Sequence, residues 1–105
     1  MEKKQQYKVI VSDRARQMLG IHIRFLSEIS PSGARKTKGE LLKAIRSLSK
    51  MPERYSLFSG EFVPPNQYHK MLVGSYYLLL YQIRGDTVFV DYILDCRSDY
   101  QWLIR

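Results

Sequence analysis

The stretch YHKMLVGSYYLLLYQIRGDTVFVDYIL, residues 68–94, decides the fold class of this chain of 105 residues. It contains three runs rich in aromatic and β-branched residues, separated by Gly-Ser at 74–75 and Gly-Asp at 85–86. Both dipeptides suit tight hairpin turns, because glycine can take the positive φ that such turns need. The middle run, residues 76–83, is apolar on both faces apart from Gln82, which is typical of a central strand. The stretch therefore predicts a three-stranded antiparallel meander.

Upstream of the meander, residues 7–11 (YKVIV) are a β-branched run typical of a short strand. Ser12 and Asp13 then signal a helix start, because a side-chain oxygen can accept from free backbone N–H groups and an acid suits the positive end of the helix dipole. Apolar residues follow at spacings of three and four, which aligns them on one helical face. That face comprises Ala15, Met18, Leu19, His22, Phe25, Leu26 and Ile29. The Ser-Pro pair at 30–31 predicts the end of this helix.

A second helix is predicted from Ser32 to Met51, because Pro52 stops it. Two helices joined by a short turn form an antiparallel hairpin. The sequence therefore predicts an α+β fold with an N-terminal strand, a helical hairpin and then the meander. We expect the helices to pack on one face of a twisted antiparallel sheet that includes residues 7–11.

Length and composition limit the class of protein. With 45% hydrophobic and 12% aromatic residues, we expect one domain over residues 1–105, with a polar leader (1–6), the fold (7–100) and a C-terminal tail (101–105). The single cysteine excludes an internal disulfide and a cysteine-based metal site, and we expect neither a metal nor a cofactor. No apolar run reaches the roughly 18 residues of a membrane span, and the polar residues 1–6 are not followed by the apolar run that a signal peptide contains. We therefore expect a cytoplasmic protein without a membrane partner.

The charge balance favours an anionic partner. The 17 Lys and Arg residues against 10 Asp and Glu give a net charge of +7, which favours nucleic acid or an acidic protein. Most of this charge lies on the predicted helices. On the second helix it is either a solvated face or a surface for an acidic protein or for phosphates. The residues concerned are Arg35, Lys36, Lys38, Lys43 and Arg46.

The order of these elements resembles the RelE/ParE superfamily, the toxins of type II toxin–antitoxin pairs. Residues 7–19 (YKVIVSDRARQML) resemble the first strand of the family running into its helix, and residues 41–55 (LLKAIRSLSKMPERY) resemble the second helix ending at a proline. Residues 68–100 resemble the strand core, in which a glycine turn precedes an aromatic-rich strand ending in Tyr81. The resemblance covers residues 7–100, nearly the whole chain.

The resemblance implies a growth-inhibiting toxin that is neutralised by a cognate antitoxin encoded beside it. One branch of the family cleaves messenger RNA in the ribosome, and another poisons DNA gyrase. The first hypothesis is an RNA-binding, ribosome-dependent endoribonuclease (an mRNA interferase) that acts on translation. The alternatives are a ParE-like toxin that binds and poisons gyrase without cutting RNA, and a degenerate toxin that retains only antitoxin binding. The fold does not choose among them.

Ribonuclease activity needs a base for the attacking 2′-hydroxyl, positive charge on the scissile phosphate and an acid for the leaving oxygen. The family resemblance assigns these roles to Lys70, Arg97 and Tyr100, with His69 and Tyr77 as weaker candidates. Neighbouring strand residues point to opposite faces, so at most one of His69 and Lys70 can serve a given site.

Each candidate also has a structural interpretation. His69 and Lys70 suit an exposed strand edge, and Arg97 could instead pair with Asp95 or Asp99. Tyr100 could pack the C-terminus onto the sheet together with Trp102. For His22 a packed core position is the simpler interpretation, and for Cys96 a buried thiol. An acidic strip close to an RNA site would also repel phosphate. It comprises Asp91, Asp95 and Asp99.

One position departs from the nuclease branch. That branch commonly has an arginine directly after the aromatic residue of the central strand, three positions before its closing tyrosine. Counting back from Tyr81 gives Leu78 at this position, preceded by Tyr77. The change removes a phosphate-binding charge and favours the target-binding alternative.

The apolar surface of the meander exceeds what two short helices can cover. We therefore expect part of it to remain open for an antitoxin segment that docks as a helix or as an added strand. The aromatic residues concerned are Tyr68, Tyr76, Tyr77 and Trp102.

Overall fold

The computed structural model describes residues 6–60 and 63–97. The elements in chain order are β1 (Lys8–Val11), α1 (Asp13–Ile29), α2 (Pro31–Ser47), a 3-10 turn (Pro52–Arg54), β2 (His69–Val73), β3 (Tyr77–Arg84) and β4 (Thr87–Asp95). The four strands form one sheet in the order β1-β4-β3-β2. The chain therefore has the predicted α+β architecture of a strand, two helices and a meander.

The predicted meander is confirmed, since β2 pairs with β3 and β3 with β4, both antiparallel. Its two turns contain Gly74 at φ 61° and Gly85 at φ 60°, a conformation that side chains with a Cβ rarely adopt. The first five residues of β3 are all buried, as expected for a central strand. A bulge between Leu80 and Tyr81 shifts the register with β4 and leaves Asp91 without a direct partner on β3.

The orientation of β1 differs from the prediction of an entirely antiparallel sheet. β1 pairs with β4 in parallel, with Lys8 N–H donating to the carbonyl of Asp86 at 2.9 Å and Ser12 N–H to that of Val90 at 2.9 Å. A helical connection, unlike a two-residue hairpin, allows parallel strands. The helical hairpin between β1 and the meander therefore permits this pairing.

Two serines cap the helices. The Ser12 hydroxyl accepts from Ala15 N–H at 3.1 Å, as predicted for the start of α1. The start of α2 lies two residues before the predicted Ser32, because the Ser30 hydroxyl accepts from Gly33 N–H at 3.1 Å. Pro31 follows at the first helical position, where the backbone N–H that proline lacks would have no partner within the helix. The Ser-Pro pair therefore ends α1 and also begins α2.

Both faces of the sheet carry a core. We call the side packed against the helices the helix face and the opposite side the groove face. The helix-face core comprises Ala15, Leu41, Ala44, Ile45, Leu48, Val73, Tyr77, Leu79, Tyr81, Val88, Val90 and Ile93. The groove-face core comprises Phe58, Val63, Tyr68, Leu78, Leu80 and Leu94. The segment between the 3-10 turn and β2 thus covers part of the face that the helices leave open.

The predicted apolar stripe of α1 is only partly buried. Phe25 and Ile29 are 63% and 68% exposed, and so is Ile21, at 63%. His22 lies within hydrogen-bond distance of the carbonyl of Ile93, two residues before β4 ends, and α1 continues for two further turns. One side of the last turns of α1 is therefore left uncovered.

Candidate functional site

A groove of about 600 Å³ opens on the groove face of the sheet. It is lined by residues 55–59, Lys70, Leu72, Leu78 and Cys96. Backbone hydrogen bonds fix its outer wall, since Phe58 N–H donates to Tyr68 at 2.7 Å and Lys70 N–H donates to Ser56 at 2.9 Å. The groove is therefore formed by a segment laid along the outer edge of β2.

The floor of this groove is mostly apolar. Leu72 lies opposite Leu78 in the β2–β3 ladder, and Leu72 is 59% exposed whereas Leu78 is 6% exposed. Among the described residues that line the groove, Lys70 is the one with a charge. Cys96, one residue after β4 ends, is half-buried rather than buried as predicted, because it packs against the groove-face core at the edge of the groove. The position that nuclease relatives fill with arginine thus contributes a leucine to the groove floor.

Arg97 is held at the end of β4 by Asp95, the ion pair that the structural interpretation predicts. Its Nε donates to Asp95 Oδ1 and its NH2 to Asp95 Oδ2, both at 3.1 Å. The guanidinium also lies 4.1 Å from the ring centroid of Tyr76 and donates to the Tyr77 hydroxyl at 3.3 Å. The side chain of Arg97 is 49% exposed, so one side of the guanidinium remains accessible.

The charges of this pair stabilise each other. Burial alone would raise the pKa of the Asp95 carboxyl, but hydrogen bonds from the side chain and backbone of Arg97 outweigh it and hold the pKa below its usual value. The hydrogen bonds to Asp95 correspondingly raise the pKa of Arg97. Burial raises the pKa of Tyr77, and the nearby Asp95 charge adds to this effect. Tyr77 is therefore a neutral phenol at neutral pH.

The structure does not bring the predicted catalytic residues onto one face. Tyr77 belongs to the helix-face core, and its ring lies 5.7 Å from that of His22, which places the contacts of Arg97 on the helix side. Lys70 lines the groove on the opposite side. Tyr100 lies outside the described residues. Arg97 and Tyr77 are therefore together, and Lys70 is apart from both.

His69 also faces away from the groove. Its ring stacks on Tyr81 with centroids 5.4 Å apart, and its Nδ1 lies 2.7 Å from the carbonyl oxygen of Tyr55. Tyr81 belongs to the helix-face core. His69 and Lys70 thus point to opposite faces, as the alternation of a strand requires.

A polar cluster on the groove face was not predicted as a unit. Asp91 accepts from the Tyr68 hydroxyl at 2.6 Å and from Gln82 Nε2 at 2.7 Å. The side chain of Gln82 in turn accepts from Gln67 at 3.1 Å. Burial and then the Asp91 bond raise the pKa of Tyr68, which keeps it a neutral donor. In the sequence, the isolated Gln82 in an apolar strand was the signal that could have indicated this cluster. The cluster connects Gln67 and Tyr68, in the segment before β2, to Asp91 in β4.

The surfaces left open differ from those expected. Tyr77 is buried beneath the helices, and Tyr68, which belongs to the segment before β2, is buried against the groove face of the sheet, whereas Tyr76 is 48% exposed as expected. Trp102 lies outside the described residues. Among the described residues, the open apolar surface also includes Leu57 and Leu72 at the groove, the exposed side of α1, and the single side chains of Ile10 and Met51.

Neither a metal site nor a membrane span is found in the part of the chain that the structure describes. Within residues 6–60 and 63–97, no three His, Cys, Asp or Glu side chains are grouped so that they could hold a metal ion. In the same ranges, no helix has the length and apolar character needed to cross a membrane.

Replacing Asp95 by asparagine is expected to lower the free energy of unfolding at neutral pH by about 1–2 kcal/mol, since two charge-assisted hydrogen bonds are weakened beside a half-exposed partner. The folded-state pKa of Asp95 lies below its unfolded value. Its stabilisation is therefore fully present above the unfolded pKa of about 3.9 and disappears as the pH falls through the folded value. Urea unfolding of both proteins at about pH 7 and about pH 2.5 measures the difference. A difference that does not shrink at the lower pH would contradict this assignment.

Comparisons with known proteins agree with this architecture. The sequence model of the family described as "ParE toxin of type II toxin-antitoxin system, parDE" matches residues 9–100. A chain in the solved structure of the chromosomal ParDE TA system from P. aeruginosa is similar in fold, with a TM-score of 0.71 at 11% sequence identity. The match covers 86% of this chain and 96% of that chain. No curated protein matches the sequence.

Proposed function

Because the chain belongs to the family of ParE toxins of type II toxin–antitoxin systems, we propose that it inhibits growth by binding DNA gyrase rather than by cutting messenger RNA. A ParDE system implies a cognate antitoxin that neutralises the toxin. Gyrase is proposed as the target because the matching family model is that of the ParE branch, whose toxins poison gyrase. Inhibition of this kind needs a surface of matching shape and charge, and it does not need convergent catalytic groups.

The observation that carries this proposal is the arrangement of the remaining cations around Leu78. Phosphoryl chemistry is accelerated when charged groups converge on the atoms where charge develops. Lys70 lines the groove beside Leu78, whereas Arg97 is bound to Asp95 and Tyr77 toward the helix side. Because Lys70 and Arg97 do not converge on one point, their arrangement favours a toxin that binds a target protein over one that cleaves RNA.

The open apolar surfaces support a toxin that acts through protein contacts. The groove exposes Leu57 and Leu72, and the last turns of α1 expose Ile21, Phe25 and Ile29 at intervals of four residues. Exposed apolar groups at such spacing suit a partner that packs along the helix. We propose that the antitoxin neutralises the toxin by covering such apolar surface.

Inducing the protein in bacterial cells should arrest growth while cellular transcripts remain intact. Lys70→Ala and Arg97→Ala should leave most of the arrest in place, because the loss of one exposed charge from a protein-binding surface costs much less than the loss of a catalytic group. Mapping of transcript 5′ ends after induction, together with the growth curve, measures both effects. Lys70 is exposed, so its substitution leaves the fold undisturbed, and circular dichroism is the control for Arg97→Ala.

Other outcomes point to the alternatives. Transcripts cut during translation, with cutting lost about 100-fold or more in Arg97→Ala as for the removal of a transition-state donor, would support the ribonuclease hypothesis. Normal growth after induction, with the antitoxin still bound, would indicate a degenerate toxin.

A further inference from the structure

A second depression, of about 500 Å³, lies at the C-terminal end of α2, and the described residues that line it are all charged or polar. It is lined by Lys43, Arg46, Ser47, Ser49, Lys50 and Arg54. All four cations are exposed, and the two serines are half-buried. We call this set of six residues the basic patch.

Helix spacing and one turn bring the four cations together. Lys43 and Arg46 lie three residues apart in α2, and Lys50 follows four residues later, in the turn after the helix ends at Ser47. This spacing aligns the three cations along one side of the end of the helix. Met51 then takes a left-handed conformation with φ 48° and reverses the chain. Arg54 returns toward the helix, where its guanidinium donates to the carbonyl oxygens of Lys50 and Met51. The patch is thus a fixed feature of the fold.

Within the part of the chain that the structure describes, no acid is in ion-pair contact with the cations of the patch. The acid closest in sequence, Glu53, instead accepts a hydrogen bond from the Tyr7 hydroxyl at 3.2 Å. The negative end of the α2 dipole offsets only part of the mutual repulsion. An anion that contacts several of these cations at once would relieve it.

We propose that the basic patch binds the phosphate backbone of double-stranded DNA. Its lining of Lys, Arg and Ser matches the side chains that contact DNA phosphates, and protein–DNA interfaces are polar and strongly positive. The core of a protein–protein interface is apolar and depleted of charged residues, whereas the patch consists of four cations and two serines. The choice of duplex DNA rather than RNA rests on the proposed action at gyrase, because gyrase is an enzyme that holds DNA.

The patch uses residues different from those assigned to protein partners. Among the described residues, its lining shares none with the groove, and the exposed stripe of α1 belongs to a different helix. A toxin bound to an enzyme through its apolar surfaces could therefore hold the DNA of that enzyme through the patch at the same time.

Fluorescence anisotropy of a labelled DNA duplex of about 20 base pairs, titrated with the purified toxin at several salt concentrations, tests this proposal. Lys43, Arg46 and Lys50 supply three phosphate contacts, because Arg54 already donates to backbone carbonyls. A fourfold rise in salt should then weaken binding about 40-fold. The double variant Lys43→Gln, Lys50→Gln should bind more weakly, and the same rise in salt should weaken it only about 3- to 4-fold.

The matched control is the double variant Arg35→Gln, Lys38→Gln. It removes the same charge from exposed positions in the first half of α2, outside the patch, and should keep the wild-type salt dependence. Circular dichroism confirms that both variants are folded.

Four results would overturn the proposal. Equal loss in the patch and control variants would mean that net charge alone attracts DNA. Tighter binding of single-stranded RNA than of the duplex, or binding of polyglutamate but not of DNA, would assign the patch to another partner. Gyrase inhibition is measured separately, so a toxin that inhibits gyrase without binding DNA would contradict the patch proposal alone.

Discussion

Leu78→Arg is expected to lower the free energy of unfolding by about 2–4 kcal/mol, because a buried leucine is lost and a charge is placed against an apolar core. Leu78 is 6% exposed and belongs to the groove-face core with Phe58, Leu80 and Leu94. The same substitution restores the arginine of the nuclease branch. It should nevertheless produce no RNA cleavage, because Arg97 remains bound to Asp95 away from the groove.

Leu78→Met is the matched control, because it keeps an apolar side chain of similar volume and should cost less than about 1.5 kcal/mol. Urea unfolding gives the stability of both variants, and transcript mapping after induction gives their activity. A stable arginine variant that cuts RNA where the wild type does not would show that the nuclease site is only weakened. That result would contradict the account of Leu78 as part of the core.

Tyr81→Ala is expected to lower the free energy of unfolding by about 4 kcal/mol or more, since a large buried ring is lost. Tyr81 is completely buried, its ring stacks on His69, and its hydroxyl donates to the carbonyl of Pro52 at 2.6 Å. A loss of this size is a large part of the stability of a small domain. The variant should therefore be partly unfolded at physiological temperature.

Tyr81→Phe separates the hydroxyl from the ring. It keeps the packing but leaves the carbonyl of Pro52 without its donor, which should cost about 1–2 kcal/mol. Thermal unfolding of both variants measures the two contributions. Equal losses in the two variants would mean that the hydroxyl, rather than ring packing, accounts for the effect.

Local sequence signals determine how much of the fold could be predicted. The meander follows from glycines at the two turns and from an apolar run flanked by them, and these signals lie within a few residues of the structure they specify. The start of α2 was predicted at Ser32, two residues late, because the Ser-Pro pair was interpreted only as the end of α1 and not also as the cap of α2. The parallel pairing of β1 had no local signal, because it depends on where the helical hairpin returns the chain.

The candidate site was harder to predict because it is built from distant segments. Residues 55–59 have neither helical nor strand periodicity, so the sequence did not indicate that they form a groove wall. The basic patch depends on the turn at Met51, which brings Arg54 back to the helix. The alternation of His69 and Lys70 was predictable, whereas the bond of Arg97 to Tyr77 required the three-dimensional arrangement.

The most direct test of the account is DNA supercoiling by purified gyrase in the presence of the purified toxin. Relaxed plasmid is incubated with gyrase and ATP, and supercoiled product is measured with and without toxin. The account predicts that the toxin inhibits supercoiling, that added cognate antitoxin restores it, and that Lys70→Ala inhibits as strongly as the wild type. Unaffected supercoiling by a folded toxin that arrests growth in cells would contradict the account.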